Sequence, residues 1–249
     1  PPPGNRAPGD TWPARALLLA ALATLSACGS EPLTTVTYNA GLAVGFVPAA
    51  LGRASVTTEA IGALDADVVC VQEVWEPEHV QLLEDAAAAG GFEHTYFPEP
   101  SQDSDPTPAC TQTDIDPIIT CMEESCSDVC IEEQTNCLYE NCVFEFLGLE
   151  QDCMGCVQAN VGGEPQEVSD TCTSEYTKYA YDGGFGTGIL SRHELLDPTE
   201  LVFESTTNRR SLLHATLDVK GGGVDVYCTH RTAVFSIIPY PKPEGSWSE

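Results

Sequence analysis

Basic residues are scarce in this chain, whose 249 residues include 10 Lys and Arg against 38 Asp and Glu, for a formal net charge of −28. Such a charge keeps a protein soluble and repels polyanions at long range. Proteins that bind nucleic acids usually present a basic face. The charge therefore disfavours a nucleic-acid partner, although it does not exclude a nuclease.

Long apolar runs are missing as well. The segment Ala16–Ala27 is apolar and follows Arg15, but it is too short to cross a bilayer. A basic residue before a short apolar run is typical of an export signal, so we predict a signal peptide over residues 1–27. No other stretch of this sequence has the length and apolar character of a transmembrane helix.

The predicted signal peptide ends in Leu25-Ser26-Ala27-Cys28, which resembles a bacterial lipobox. In that motif the cysteine is lipidated and becomes the N-terminus of the mature protein. We therefore expect lipidation at Cys28 and a protein anchored by lipid to the bacterial cell envelope. The alternative is an ordinary signal peptide with a chance cysteine, and hence a secreted protein.

Cysteine, by contrast, is abundant: the chain has 12, a density that is common in exported proteins and disfavoured in a reducing cytosol. Nine of them lie in residues 101–178, a strongly acidic segment without Arg or Lys before its last residue. We interpret this segment as a cysteine-rich insertion. Cys126 and Cys130 are four residues apart and would share a helical face, so we predict two short helices joined by disulfides. An odd number leaves one cysteine free or paired outside the segment.

The sequence gives weaker support to other roles for the cysteines. Cys153 and Cys156 have the spacing of zinc ligands, but so many neighbouring cysteines in an exported chain favour disulfides. Cys70 and Cys228 each stand alone in a predicted strand, and we expect them to be inert core thiols.

The rest of the chain is predicted to form one α/β core in two parts, residues 28–100 and 179–249. Near-continuous apolar runs, alternating patterns and glycine or proline boundaries predict its elements. The predicted helices are Ala54–Leu64 and one from Pro77 to Gly90. The predicted strands are Leu33–Asn39, Asp67–Glu73, His94–Phe97, Gly186–Arg192, Glu200–Ser205, Ser211–Val219 and Val224–His230, the last two as a hairpin.

Polar side chains at strand ends are the candidates for chemistry. Glu73 follows a buried strand, where a carboxylate costs several kcal/mol unless a cation or donor meets it. Mg²⁺ prefers such oxygen ligands. Asn39 can both donate to a phosphate and coordinate a metal, and His230 can stabilise a phosphoryl oxygen. The alternatives are a solvent-facing glutamate, a turn-forming asparagine and a core histidine.

Three arginines are candidate contacts for a substrate phosphate: Arg192, Arg209 and Arg210. Six of the eight basic residues that follow the predicted signal peptide lie between Lys178 and Arg231, so positive charge is concentrated in the second part of the core. The alternative for each arginine is a solvated surface charge.

Four segments together resemble the endonuclease/exonuclease/phosphatase superfamily. They are Thr37-Tyr38-Asn39, Val71–Trp75, Gly186–Arg192 and Thr229-His230. The resemblance covers roughly Leu33–Pro100 and Tyr179–Thr232. It implies a four-layered α/β sandwich, with two packed mixed sheets flanked by helices, and hydrolysis of a phosphoester by water with Mg²⁺ or Mn²⁺. It further implies that Glu73 and Asn39 hold the metal and that His230 and Asn39 act in catalysis.

The superfamily pattern is incomplete here. Its Gly-Asp-x-Asn segment and its final Asp-His pair, whose histidine is the general base, are absent, and the family order places both beyond Glu249. Since the chain also begins with Pro1 rather than Met, we interpret it as a fragment that carries about half a site and is inactive alone.

Within the superfamily, Gln72–Trp75 and Gly186–His193 look most like neutral sphingomyelinases. The acidic charge and the expected lipid anchor also favour a phospholipid or small phosphodiester over DNA. A secreted endonuclease is the alternative enzyme. A catalytically dead, cysteine-rich surface lipoprotein that only binds a partner is the alternative from another class.

The lipid anchor can be tested by replacement of one residue. If Cys28 is lipidated, Cys28→Ser should move the protein from the membrane fraction to the soluble fraction of expressing cells, because the acyl chains would have no attachment point. Immunoblots of both fractions measure the shift. Unchanged fractionation with the membrane would contradict the anchor.

Overall fold

The structure, a computed structural model, describes residues 32–101, 108–174, 179–205 and 207–231. The predicted signal peptide and Cys28 lie outside these residues, so both stay predictions. In the described part of the chain, no helix has the length and apolar character needed to cross a membrane.

The first sheet has four strands in the order β1-β2-β4-β3. Their bounds are β1 Thr35–Asn39, β2 Val68–Gln72, β3 His94–Tyr96 and β4 Thr187–Ser191. β1 and β2 run parallel, whereas β4 is antiparallel to both of its neighbours. The ends of β1 and β2 therefore meet the beginning of β4 at one edge of the sheet.

The second sheet is antiparallel in the described residues and has the order β5-β6-β7. Its strands are β5 Leu195–Phe203, β6 Arg210–Val219 and β7 Gly222–Thr229. β6 and β7 form the predicted hairpin. β5 begins earlier than predicted, because an edge strand tolerates the irregularity between Leu196 and Thr199 that contains a proline.

The two sheets pack face to face. Leu213, Ala215 and Leu217 in β6 are fully buried, as their alternation predicts, against Val68 and Ile189 of the first sheet. Helices α1 Ala50–Gly62 and α2 Pro77–Ala89 cover the other face of the first sheet with a second apolar cluster. This arrangement of helices on a sheet and of sheet on sheet confirms the predicted α/β sandwich.

A disulfide joins the two sheets. Cys70 in β2 and Cys228 in β7 are bonded, with their Cα atoms 5.5 Å apart. The expectation that these cysteines are inert thiols is therefore wrong. The reason is the packing of the sheets, which brings together two strands whose cysteines are separated by 158 residues in the sequence.

Residues 110–173, the cysteine-rich module, have a buried cluster of their own. The helices of the module are α3 Gln112–Ser125, α4 Gln134–Asn141, α5 Val143–Leu147, α6 Gln151–Asn160 and α7 Pro165–Thr173. Ten of the cluster's members are apolar side chains other than cysteine, so the module is more than a disulfide framework. Its predicted outer limits stay predictions, because residues 102–107 and 175–178 lie outside the described part.

The prediction of disulfides in this segment is confirmed, and four of them lie within the module. The pairs are Cys110–Cys153, Cys121–Cys142, Cys126–Cys137 and Cys156–Cys172. The expectation that Cys126 and Cys130 share a helical face is wrong, because α3 ends at Ser125 and both cysteines come after it. The end of α3 is joined to the α4 region by Cys121 and Cys126 instead. Cys130 is exposed and free. With Cys153 and Cys156 in separate disulfides, the zinc alternative is wrong. This number of disulfides indicates an extracellular or secreted protein.

The inter-sheet disulfide should contribute more stability than a short-range one. The chain-entropy model gives about 5 kcal/mol for a separation of 158 residues and about 3 kcal/mol for 11. We therefore expect Cys70→Ala/Cys228→Ala to lower the free energy of unfolding more than Cys126→Ala/Cys137→Ala does, as measured by urea denaturation. Equal losses would contradict this ranking.

Candidate active site

Three predicted site residues meet at the edge where β1 and β2 end. Asn39 is the last residue of β1, Glu73 follows β2, and His230 follows β7. The Asn39 side-chain amide donates a hydrogen bond of 2.8 Å to Glu73 Oε1. His230 Nε2 lies 3.6 Å from the same oxygen. The fold thus brings together groups from both sheets around one carboxylate.

Glu73 has an unusual backbone conformation. Its φ of 59° lies in the left-handed region, which costs a residue with a side chain roughly 1–3 kcal/mol. Two backbone hydrogen bonds hold this turn: Leu42 N–H donates to the Glu73 carbonyl, and Val74 N–H donates to the Gly186 carbonyl. Strain of this kind tends to persist at functional sites. The Glu73 side chain is 21% exposed, so its carboxylate is accessible at the sheet edge.

Asn39 both forms a turn and contacts another candidate site residue. Its side-chain oxygen accepts a hydrogen bond from Gly41 N–H at 2.9 Å, which makes the turn that the sequence suggested. Its amide nitrogen meanwhile binds Glu73. A carbonyl oxygen has two lone pairs, so the turn leaves one acceptor position on Asn39 for a further partner.

Arg210, the first residue of β6, completes the cluster. One guanidinium nitrogen, Nη1, lies 2.5 Å from His230 Nδ1. Burial lowers the pKa of Arg210 to about 10, against the opposing influence of Glu73 and Tyr181. Burial and the neighbouring Arg210 lower the pKa of His230 to about 4. The imidazole is therefore neutral near pH 7. Because Nδ1 accepts from Arg210, the imidazole proton is assigned to Nε2, on the side of Glu73.

Two stacked aromatic residues pack next to this cluster. The Trp75 and Tyr181 rings stack with centroids 5.2 Å apart, and the Arg210 guanidinium lies 5.2 Å from the Trp75 ring centre. Trp75 fits there because Gly186 has no side chain: a Cβ at that position would lie 2.5 Å from the indole. The glycine that precedes β4 is thus required by the close approach of Trp75.

The other two candidate arginines are engaged elsewhere. Arg192 follows β4 at the opposite edge of the sheet, roughly 16 Å from the cluster by strand length. It donates to the carbonyls of Ala66 and Leu64. Arg209 donates to the Ser101 carbonyl at 2.6 Å and lies over the rings of Tyr179 and Phe185. Of the three, Arg210 is the arginine that contacts the other site residues.

Tyr181 is the member of the site that sequence reasoning missed. Burial and the nearby carboxylates raise its pKa well above that of an ordinary tyrosine, so the phenol stays protonated. It lies in a short 3₁₀ turn over Tyr181–Gly183, between the module and β4. No motif marks it, and its role depends on contacts that only the fold creates.

The donor set of the cluster suits a hard divalent cation in part. The described residues contain no group of three or more His, Cys, Asp and Glu side chains that could hold a metal. Mg²⁺, however, commonly binds through one or two carboxylates, several waters and a substrate phosphate. The Glu73 carboxylate and the remaining acceptor position of Asn39 fit the protein's share of such a shell.

Comparison with known proteins identifies the family of the chain. Residues 36–248 match the model of the Endonuclease/Exonuclease/phosphatase family. The chain belongs to this family. Members of the family are hydrolases that act on phosphoesters, usually with a divalent metal, and they include phosphodiesterases, sphingomyelinases and nucleases.

Two solved structures are similar to the chain. One is a β-hairpin deletion mutant of beta toxin from Staphylococcus aureus, at 12% identity and a TM-score of 0.41, over 82% of this chain and 53% of that one. The other is an endonuclease/exonuclease/phosphatase from Beutenbergia cavernae, at 20% identity and a TM-score of 0.36, over 80% and 38%. The chain thus spans about half or less of these proteins. No curated protein matches it.

Because Arg210 and Arg192 lie far apart, we expect their loss to affect anion binding differently. Loss of one charged hydrogen-bond donor costs about 1.5–3 kcal/mol, so Arg210→Gln should weaken the binding of inorganic phosphate about tenfold or more. Arg192→Gln is the matched control, and it should leave phosphate affinity unchanged because Arg192 lies at the other sheet edge. Titration followed by ³¹P NMR measures both. Equal losses would contradict the assignment.

Proposed function

We propose that this chain carries part of the active site of an exported, metal-dependent phosphodiesterase that hydrolyses a phospholipid or a small phosphodiester. The observation that supports this most directly is the contact group of Asn39, Glu73, Arg210 and His230 at one sheet edge. It combines a carboxylate for a cation with hydrogen-bond donors for phosphoryl oxygens. Phosphoester hydrolysis needs both.

Each residue has a distinct proposed role. Glu73 and Asn39 would hold Mg²⁺ or Mn²⁺, which when bound acts as a Lewis acid toward a phosphoryl oxygen. The Nε2–H of His230 would donate to a phosphoryl oxygen as negative charge grows in the transition state. Arg210 fixes the His230 tautomer through Nδ1 and adds a positive charge beside it.

The acidic module favours a substrate without a long run of phosphates. The module has no Arg or Lys, and its residues contact the loops on both sides of the site. A polyanion would approach this surface against electrostatic repulsion. A zwitterionic phospholipid or a small phosphodiester would meet much less repulsion. This preference agrees with the sphingomyelinase-like sequence of Gln72–Trp75.

Location at a membrane would suit a phospholipid substrate. We propose that Cys28 carries a lipid anchor and that the five disulfides of the described residues form in the oxidising space outside the cytosol. A secreted endonuclease is the second candidate, and it would require plasmid DNA to be cleaved despite the charge. A catalytically dead surface lipoprotein would bind a partner and hydrolyse none of these substrates.

Glu73 and His230 should differ in how their loss affects the metal. In the full-length protein, Glu73→Gln should weaken Mg²⁺ binding, and excess Mg²⁺ should partly restore hydrolysis. His230→Ala should leave Mg²⁺ affinity nearly unchanged and lower turnover by about 10²–10³ at any metal concentration, because a transition-state donor is lost. Isothermal titration with Mg²⁺ measures binding, and hydrolysis of sphingomyelin, a chromogenic phosphodiester and plasmid DNA measures turnover.

Matched controls separate these effects from general damage. Glu59→Gln on the exposed surface of α1 and His214→Ala on the second sheet should retain both metal affinity and turnover. Hydrolysis that resists a chelator would refute the metal-dependent mechanism. A Glu73→Gln protein as active as its parent at low Mg²⁺ would refute the site.

A further inference from the structure

The cysteine-rich module contacts the loop that follows Asn39. The Thr135 hydroxyl, at the start of the module's helix α4, donates to the carbonyl of Gly45 in that loop. Thr135 is 6% exposed, so the bond is shielded from water. Phe46, next in the loop, packs against the apolar cluster of the module. One hydrogen bond and one aromatic side chain thus fix the loop to the module.

The module also contacts the loop that precedes Arg210. The Thr207 hydroxyl donates to the side-chain oxygen of Gln158 in α6 at 2.9 Å. The amide nitrogen of the same glutamine donates to the Tyr139 hydroxyl at 2.7 Å, which ties the contact to α4. Gln158 is 9% exposed. The module therefore holds the loops at both sides of the site through buried polar contacts.

Tyr181 connects the first of these loops to the site. Its hydroxyl donates to the Val44 carbonyl at 2.8 Å, and its ring lies 6.4 Å from that of Phe46. The Tyr181 ring also stacks on the ring of Trp75, and the Arg210 guanidinium lies over the same indole. A continuous series of packed side chains thus runs from the apolar cluster of the module to Arg210.

We propose that the cysteine-rich module is a clamp that positions the active site. Its positioning residues are Thr135 and Gln158 within the module and Tyr181, which lies outside it. Loops ordinarily fluctuate more than the strands they connect, whereas catalytic groups must be held to within about 0.5 Å. Four disulfides make the module a rigid partner for both loops. The proposal rests on the proposed function for what the site does, but the clamp itself can be tested without activity.

The first experiment removes the two hydroxyl contacts without a change of shape. Hydrogen exchange followed by mass spectrometry should show amide exchange at least about fivefold faster in residues 40–49 and 207–210 of Thr135→Val/Thr207→Val, because each lost bond contributes about 1 kcal/mol. Thr173→Val is the matched control: its hydroxyl bonds within α7, so exchange in both loops should be unchanged. Unchanged exchange in the double variant would overturn the clamp.

The second experiment concerns Tyr181 and remains informative if the double variant unfolds. Tyr181→Phe retains the stack on Trp75, whereas Tyr181→Leu removes it. With the chromogenic phosphodiester and the full-length protein, Tyr181→Leu should lower kcat about tenfold with little change in KM, and Tyr181→Phe should recover most of that loss. Equal activity of the Leu variant and the parent, or equal loss in both variants, would overturn the role of the stack.

The two experiments distinguish failure of the clamp from failure of the proposed function. If the parent protein hydrolyses no phosphodiester but both loops exchange faster in the double variant, the clamp stands and the proposed function fails. If the parent is active and loop exchange in the double variant does not change, the proposed function stands and the clamp fails.

Discussion

The half-buried carboxylate of Glu73 is the constraint on which the site depends. A negative charge at the end of a buried strand is costly unless donors and cations surround it. Its neighbours come from distant parts of the chain: Asn39 from β1, His230 from β7 and, through His230, Arg210 from β6. The cluster around the carboxylate is therefore complete only after both sheets have formed and packed. In this sense the site is a product of the complete sandwich rather than of any one motif.

The burial of a second charge, that of Arg210, explains why aromatic residues and a glycine lie next to the cluster. Arg210 carries a charge into a largely buried position, and the face of Trp75 offers it a favourable surface there. Trp75 in turn needs the space that Gly186 leaves. The ring of Tyr181 stacks on the same indole. The cysteine-rich module then supports the loops from outside, so a segment that interrupts the core also contributes to its order.

Local sequence patterns predicted much of the core and the centre of the site. A Val-rich run predicted β2, alternation predicted β6 and β7, and the four segments that resemble the superfamily implied that Asn39, Glu73 and His230 belong to one site. These signals depend on residues close together in the chain. The Cys70–Cys228 bond, Tyr181 and the different surroundings of Arg192 and Arg210 were not predictable in this way. Each depends on packing between segments that are far apart in the sequence.

The disulfide between the sheets also has a consequence for a chain that has lost its fold. Cys70 lies three residues before Glu73, and Cys228 lies two residues before His230. Even in a fully extended chain, this covalent link keeps the two site residues within roughly 25 Å of each other. The bond therefore raises their effective concentration in the denatured ensemble. An oxidised chain that refolds starts with the segments of Glu73 and His230 already tethered.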